Sequence, residues 1–587
     1  MKRFINSISN AIIYELPFII FFFLLMNIIE VLQFIHGRFV NPINYPSFYV
    51  LFGSIAVWGM AAIAGAVIIW KTNSKIVKGI LYGIIILWFA IQYYLKTNFS
   101  MEVSPAVFAL LSETNQQESK EFIELFILSN KIIPTLSITF IYLAFIILTE
   151  IFWGKLLKKI KLSQSKKLLA KKIVIISSLP IFILGIIFST NYIKAINAKT
   201  FEEIKNLGIP SGPFSSLYTS FLSMNIESKN IQNVINITES LSDVKLSEEI
   251  KKDSLNIVLI IGESFIKAHS SLYGYQLQTN PNLTREKDNN RLYLFNDVLT
   301  TANKTSVVMR DILCCSNSSE GENWFDFPFF PAIFKKAGYN VSIMDNQKIE
   351  KAVTNYDFTL NSFLFHPKIQ QLSYNYVNDK TFDLDEDLVN YNTNLTNGSP
   401  HNLIIYHLMG QHHNVENRYP KDFYKFNADS IKRNESYLTD NKKEYIAHYD
   451  NATLYNDHVV NSIINLYKDS KTIVLYFSDH GEEVYDYRDS YMRDSDPLTP
   501  QKIKYQYEVP FMIWLSDKYK INFPDIVNEI ERAVNRPFIT GNISNLLVYL
   551  AGIQTSYYRK EFNLIHPSYV CKKRLVEGKN YNDFRNK

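Results

Sequence analysis

The chain has 587 residues, too many for one ordinary domain, and its apolar residues crowd into the first third. Its net charge is only +5, from 61 basic and 56 acidic side chains, which excludes the broad cationic footprint of a nucleic-acid binder. The sequence shows no internal repeat and no long low-complexity tract.

Five segments are long and uncharged enough to cross a bilayer, which takes about 20 residues. They are 16–35 (with Glu30 inside), 48–70, 76–95, 132–149 and 173–193. The first is no cleaved signal peptide, because it lacks a small-residue cleavage site and four more spans follow. Core helices of a soluble protein would show a polar face, and these do not. The segment GKLLKKIKLSQSKKLLAKK at 154–172 carries eight lysines and no acid, whereas 96–131 has five glutamates against three lysines. Positive-inside logic then puts the N-terminus in the cytoplasm and everything after about residue 194 on the far side of the membrane, in a periplasm or outside the cell. The organisation expected is a five-span membrane domain at 1–194, an amphipathic connector at 195–250 and an extracytoplasmic α/β domain at 251–587.

From about residue 254, short apolar runs alternate with helical stretches. NIVLIIG (256–262), YNVSIMD (339–345), NLIIYHLM (402–409), TIVLYFS (472–478) and VPFMIWLS (509–516) read as buried strands. Helices are expected at 305–315, 329–338, 446–468 and 540–552. The pattern predicts a mostly parallel sheet covered on both faces, with ligands beyond the carboxyl ends of its strands. There are three cysteines, so no disulfide framework is indicated; any bridge would join Cys314 or Cys315 to Cys571.

Three of these strands end in carboxylate or imidazole groups: Glu263 after the first, His412 and His413 after the third, and Asp479-His480 after the fourth. One such ending is an ordinary polar turn; three at the ligand-binding edge point to a site for zinc or manganese, whose usual oxygen and nitrogen ligands these are. His413, His407, His401, His448 and His458 have no motif behind them. A nucleophile could come from TTANKTSVVMRDILCC at 300–315, where a helix opens at Thr305 or Ser306. The helix dipole favours an anion there, and plain N-capping is the other reading.

The ordered set GES, LYGYQLQTNP, NKTS, GQHHNVENRYP, YDNATLYND and SDHGEE, behind five spans, resembles the phosphoethanolamine transferases of Gram-negative bacteria, within the alkaline phosphatase/sulfatase-like superfamily. SDHGEEVYDYRD and YQYEVPFMIW look closest to members that modify the lipopolysaccharide core or periplasmic glucans. The resemblance implies Glu263, Asp479 and His480 as zinc ligands, Thr305 as the nucleophile that also touches the metal, and His412 as a histidine contacting the donor phosphate or a second metal. One zinc is expected, ahead of manganese. The lipid A enzymes carry a further histidine shortly after SDHGE and several disulfides; here no histidine follows His480 until His566, and the cysteines are lacking. The stretch FALLSETNQQESKEF looks like the family's loop between the third and fourth spans, where Glu113, Asn115 and Glu118 would touch the donor's ammonium or form a solvated loop.

The implied reaction takes phosphoethanolamine from phosphatidylethanolamine to Thr305, releases diacylglycerol, and passes the group to lipopolysaccharide or another envelope glycan in two displacements. A phosphoglycerol transferase of the lipoteichoic acid synthase type, or an inactive envelope sensor, are the competing readings.

Overall fold

The computed structural model describes residues 2–26, 48–99, 132–160, 163–210, 212–347, 363–364, 366–491, 493, 498–571 and 573–581. Glu113, Asn115, Glu118 and the second half of the first expected span lie outside them. The chain divides into two compact units, the first covering Met1–Lys229 with Val353–Phe358, and the second the remainder.

In the first unit, α1 (Lys2–Tyr14) and α2 (Leu16–Met26) form a pair bent by 75°. Then come α3 (Phe48–Thr72), α4 (Lys75–Phe99), α5 (Ile133–Lys159) and α6 (Gln164–Ile196). Four of these are long and apolar enough to cross a membrane, and the bent pair makes up to five. Their outward side chains are apolar, with Phe140 73% and Ile176 70% exposed, which is costly in water and favourable in lipid. The helices approach closely at small residues: a Cβ on Gly185 would lie 3.0 Å from the Ala56 carbonyl oxygen. Near the start of α4, Lys78 bridges Glu15 and Glu150 at 2.7 Å each, and Tyr82 donates to Glu150. The ions thus neutralise one another where lipid could not solvate them.

The second unit is built on a seven-stranded sheet. Its strands are β1 (Leu255–Gly262), β2 (Leu292–Phe295), β3 (Asn340–Asp345), β4 (Tyr376–Val377), β5 (His401–His407), β6 (Thr472–Ser478) and β7 (Phe511–Leu515). They lie in the order β2-β7-β6-β1-β5-β3-β4. The five from β6 to β4 are parallel; β7 runs antiparallel to β6 and β2 antiparallel to β7. The expected mostly parallel sheet is present, with an antiparallel edge.

Every residue of β1, β5 and β6 is buried, as a sheet covered on both faces requires. Alternate side chains feed two cores. Ile257, Leu259 and Ile261 pack with Val308, Met309 and Ile312 of α7 (Thr305–Leu313) and with Leu546 and Leu547 of a later helix. Val258 and Ile260 pack on the other face with Ala452, Tyr455, Val459 and Ile463 of α8 (Asp440–Tyr467). That later helix, α9, spans Ile543–Leu550. Register places Gly262 beside Ser478 and Ile261 beside His407. The tips of β1, β5 and β6 therefore open at one edge.

Candidate active site

Glu263 follows β1 directly and Asp479-His480 follow β6, so two neighbouring parallel strands deliver three ligand-type side chains to one place. All three are fully buried, and one donor atom from each lies within 4.8 Å of the others. Asp479 Oδ1 accepts from the backbone N–H of Ser264 at 3.2 Å and of His480 at 2.7 Å, which fixes the carboxylate across the strand ends. His480 Nδ1 donates to the Gly481 carbonyl at 2.9 Å, so Nε2 keeps a lone pair that faces Asp479 Oδ2 at 3.1 Å and Glu263 Oε1 at 3.5 Å. Asp479 Oδ2 is buried without a hydrogen-bond partner. A buried carboxylate oxygen left open beside an imidazole lone pair and a second carboxylate is a donor set that fits a divalent ion.

Thr305 opens α7, and Lys304 holds the N-cap position without any side-chain cap. The Thr305 hydroxyl lies 3.1 Å from Glu263 Oε2 and 3.2 Å from His480 Nε2, pointing into the cluster. His412 sits past β5 on a loop tied down by Asp385, which accepts from Met409 N and Gly410 N at 2.9 Å each. Gly410 has φ +48, and a Cβ there would lie 2.8 Å from the Glu263 carbonyl oxygen, so only glycine permits this approach. His412 Nδ1 is buried and unpartnered, and its ring lies 4.0 Å from that of His413. Five of the residues picked from the sequence thus share one edge of the sheet.

The other histidines are held elsewhere. His401 meets the Ile250 carbonyl, His407 pairs with Asp345 at 2.6 Å, His448 with Tyr419, and His458 with Glu386. Cys314, Cys315 and Cys571 are free thiols.

Sequence reasoning missed Arg493. Its Nη1 lies 2.9 Å from Ser264 Oγ, 2.9 Å from His480 Nε2 and 3.3 Å from Glu482 Oε2. The only signal was a basic residue in the polar segment after SDHGEE. Gln347 was missed too; its amide donates to Glu263 Oε2 at 3.0 Å and to the Leu408 carbonyl at 2.7 Å, joining the tips of β1 and β5.

Electrostatics follow from burial of several ionisable groups in one place. Burial, reinforced by the Glu263 charge, raises Asp479 well above the carboxylate range. Burial also works against a charge on Glu263, yet His480 and His412, where they are protonated, and the permanent charge of Arg493 hold its carboxyl below that range. Burial and the Arg493 charge lower His480 to about 3, and burial lowers His412 to about 4. Both imidazoles are therefore neutral at pH 7, the form that can accept a proton or bind a metal.

Residues 255–542 match the Sulfatase family. The chain is 26% identical over 502 residues to "Phosphoethanolamine transferase EptC" of Escherichia coli O18:K1:H7 (strain RS218 / NMEC), covering 83% of this chain and 82% of that protein. Its fold is similar to the crystal structure of the C-terminal periplasmic domain of EptC from Escherichia coli, with a TM-score of 0.50 and 28% identity over 57% of this chain and 93% of that one. The integral membrane protein EptA of Neisseria meningitidis, at 16% identity, shares the fold over 94% of this chain and 98% of its own, with a TM-score of 0.54. This is a multi-pass membrane protein whose periplasmic catalytic domain matches the Sulfatase family, and over most of its length the chain is similar to phosphoethanolamine transferases.

Proposed function

We propose that the chain transfers phosphoethanolamine from phosphatidylethanolamine to lipopolysaccharide, on its core or lipid A, through a covalent adduct on Thr305. The observation that carries this reading is the Thr305 hydroxyl, uncommitted to capping and within hydrogen-bond reach of both Glu263 and His480. Glu263, Asp479 and His480 would hold one zinc, with Thr305 beside it; when bound, zinc lowers the pKa of that hydroxyl and offsets charge on phosphoryl oxygens.

The protein's own groups do the rest. Thr305 Oγ attacks phosphorus, the bond from phosphorus to the glycerol oxygen breaks, and diacylglycerol departs with a proton. Phosphoethanolamine stays esterified to Thr305 until an acceptor hydroxyl or phosphate displaces it. His412, neutral at pH 7, takes the proton of the incoming hydroxyl. The Arg493 guanidinium adds fixed positive charge beside the transferring group. The working division of the chain is a membrane domain to 194, a connector to 250 and the catalytic domain beyond.

Intact-mass analysis after incubation with phosphatidylethanolamine and no acceptor should show one phosphoethanolamine increment, mapped to Thr305. Thr305→Ala should abolish it in a folded protein, and Thr305→Ser should retain part. An adduct on Ser306, or normal turnover by Thr305→Ala, refutes the assignment.

A further inference from the structure

A cleft of about 500 Å3 is lined by Lys267, Lys432, Arg433 and Lys504 against a single carboxylate, Glu508, with Tyr273 and Tyr275 on its wall. Its volume falls in the range of small-ligand pockets. Lys267 comes four residues after Glu263. Arg433 is fixed by Asp486 at 3.1 Å and by the carbonyls of Tyr485 and Asp486, on the segment that continues from Asp479-His480. Lys504 stands on a segment that meets the site from both sides. Gly481 N and Glu482 N donate to its Gln506 and Tyr505 carbonyls, and Thr300 N, five residues before Thr305, donates to its Tyr507 carbonyl.

The charges are only partly neutralised: Arg433 pairs with Asp486 and Glu435 at 3.1 Å each. Lys267 faces Glu508 at 3.9 Å, whereas Lys432 and Lys504 have no carboxylate within ion-pairing distance among the described residues, and both side chains are exposed. Cations beside tyrosine rings, with Lys267 Nζ 5.2 Å from the Tyr273 ring centre, suit an anion carried on a sugar, which presents charge to the lysines and its C–H face to the rings.

We propose that this cleft binds the acceptor, and that the acceptor is an anionic glycan bearing phosphate on its sugars. The proposal rests on the transferase reading above, because a covalent Thr305 adduct needs a separate place from which a second substrate attacks.

The test uses the full chain in detergent and a fluorescent core oligosaccharide released from lipopolysaccharide by mild acid, before and after phosphatase treatment. The wild type should prefer the phosphorylated probe about tenfold, and the double variant Lys432→Ala/Lys504→Ala should lose about that factor. Lys504→Glu should lose more, and salt should weaken binding in the wild type. Loading of Thr305 from phosphatidylethanolamine should stay unchanged in the variants. Equal affinity for the two probes, no affinity for either, unchanged binding by the double variant, or binding only to phosphatidylglycerol vesicles would each overturn the proposal. A wild type that binds the phosphorylated probe but never loads Thr305 removes the transferase reading and leaves the cleft an anionic-glycan site.

Discussion

Gly481→Ala isolates the contact that holds the Asp479-His480 turn in place. A Cβ at this position would fall 1.9 Å from the Tyr505 carbonyl oxygen, 2.9 Å from its carbon and 3.2 Å from Gln506 Cα, all backbone atoms that cannot rotate away. Ordinary contact needs about 3.5 Å, so the two segments must part by more than about 1 Å. That separation strains Gly481 N→Gln506 O at 2.9 Å and Glu482 N→Tyr505 O at 3.2 Å. Two weakened hydrogen bonds at about 1 kcal/mol each, added to overpacking of about 1–3 kcal/mol, give a loss of about 3–5 kcal/mol and a melting point lower by roughly 5–10 °C. Since His480 Nδ1 donates to the Gly481 carbonyl, the imidazole should swing as well, and bound zinc should fall. Tryptophan-fluorescence melting of the detergent-solubilised protein with elemental zinc analysis reads both effects. The control is Gly338→Ala, at φ +97 with nothing within 4 Å of the added carbon, where only backbone strain of about 1 kcal/mol is expected and zinc is retained. A Gly481→Ala protein that melts no lower than this control and keeps its zinc would refute the close approach.

Asp479→Ala or His480→Ala should strip zinc from the purified protein while Asp345→Asn, outside the cluster, should not; unchanged zinc in both cluster variants removes the ligand assignment. Asp385→Ala leaves Met409 N, Gly410 N and the Asn346 amide without their acceptor and should cost about 3 kcal/mol in denaturant unfolding, with transfer falling because the His412 loop is released. His269 is buried, which disfavours its charge, but Asp486 and Asp450 at 3.0 and 2.6 Å raise it to about 10. Its folded value lies above the unfolded 6.5, so its contribution is complete below pH 6.5, declines between there and pH 10, and is gone above that. The stability gap between wild type and His269→Gln should narrow over that window, and a gap that is constant in pH would contradict the ion-pair account.

The sequence by itself determined the membrane segments, the strand and helix alternation and most of the residues at the ligand edge, because each has a local signature. Apolar runs about 20 residues long have no stable place but a bilayer, and buried parallel strands read as uninterrupted apolar stretches. Glu263, His412 and Asp479-His480 could be picked out because each ends such a stretch, where the chain turns polar. Tertiary structure alone decided which strand tips are neighbours: β6, β1 and β5 are joined side by side although their tips, Ser478, Gly262 and His407, lie 71 to 216 residues apart in sequence, since parallel pairing requires long crossovers that leave no mark on local pattern. Only the fold could bring in Arg493, which enters from an irregular polar segment, and Gln347, which links two tips. Thr305 shows the boundary between the two kinds of knowledge. Its place at a helix start was readable, but capping and nucleophile predict the same residue type there. Only the packing of α7 against β1 and β6, through Val308, Met309 and Ile312, turns its hydroxyl toward Glu263 and His480.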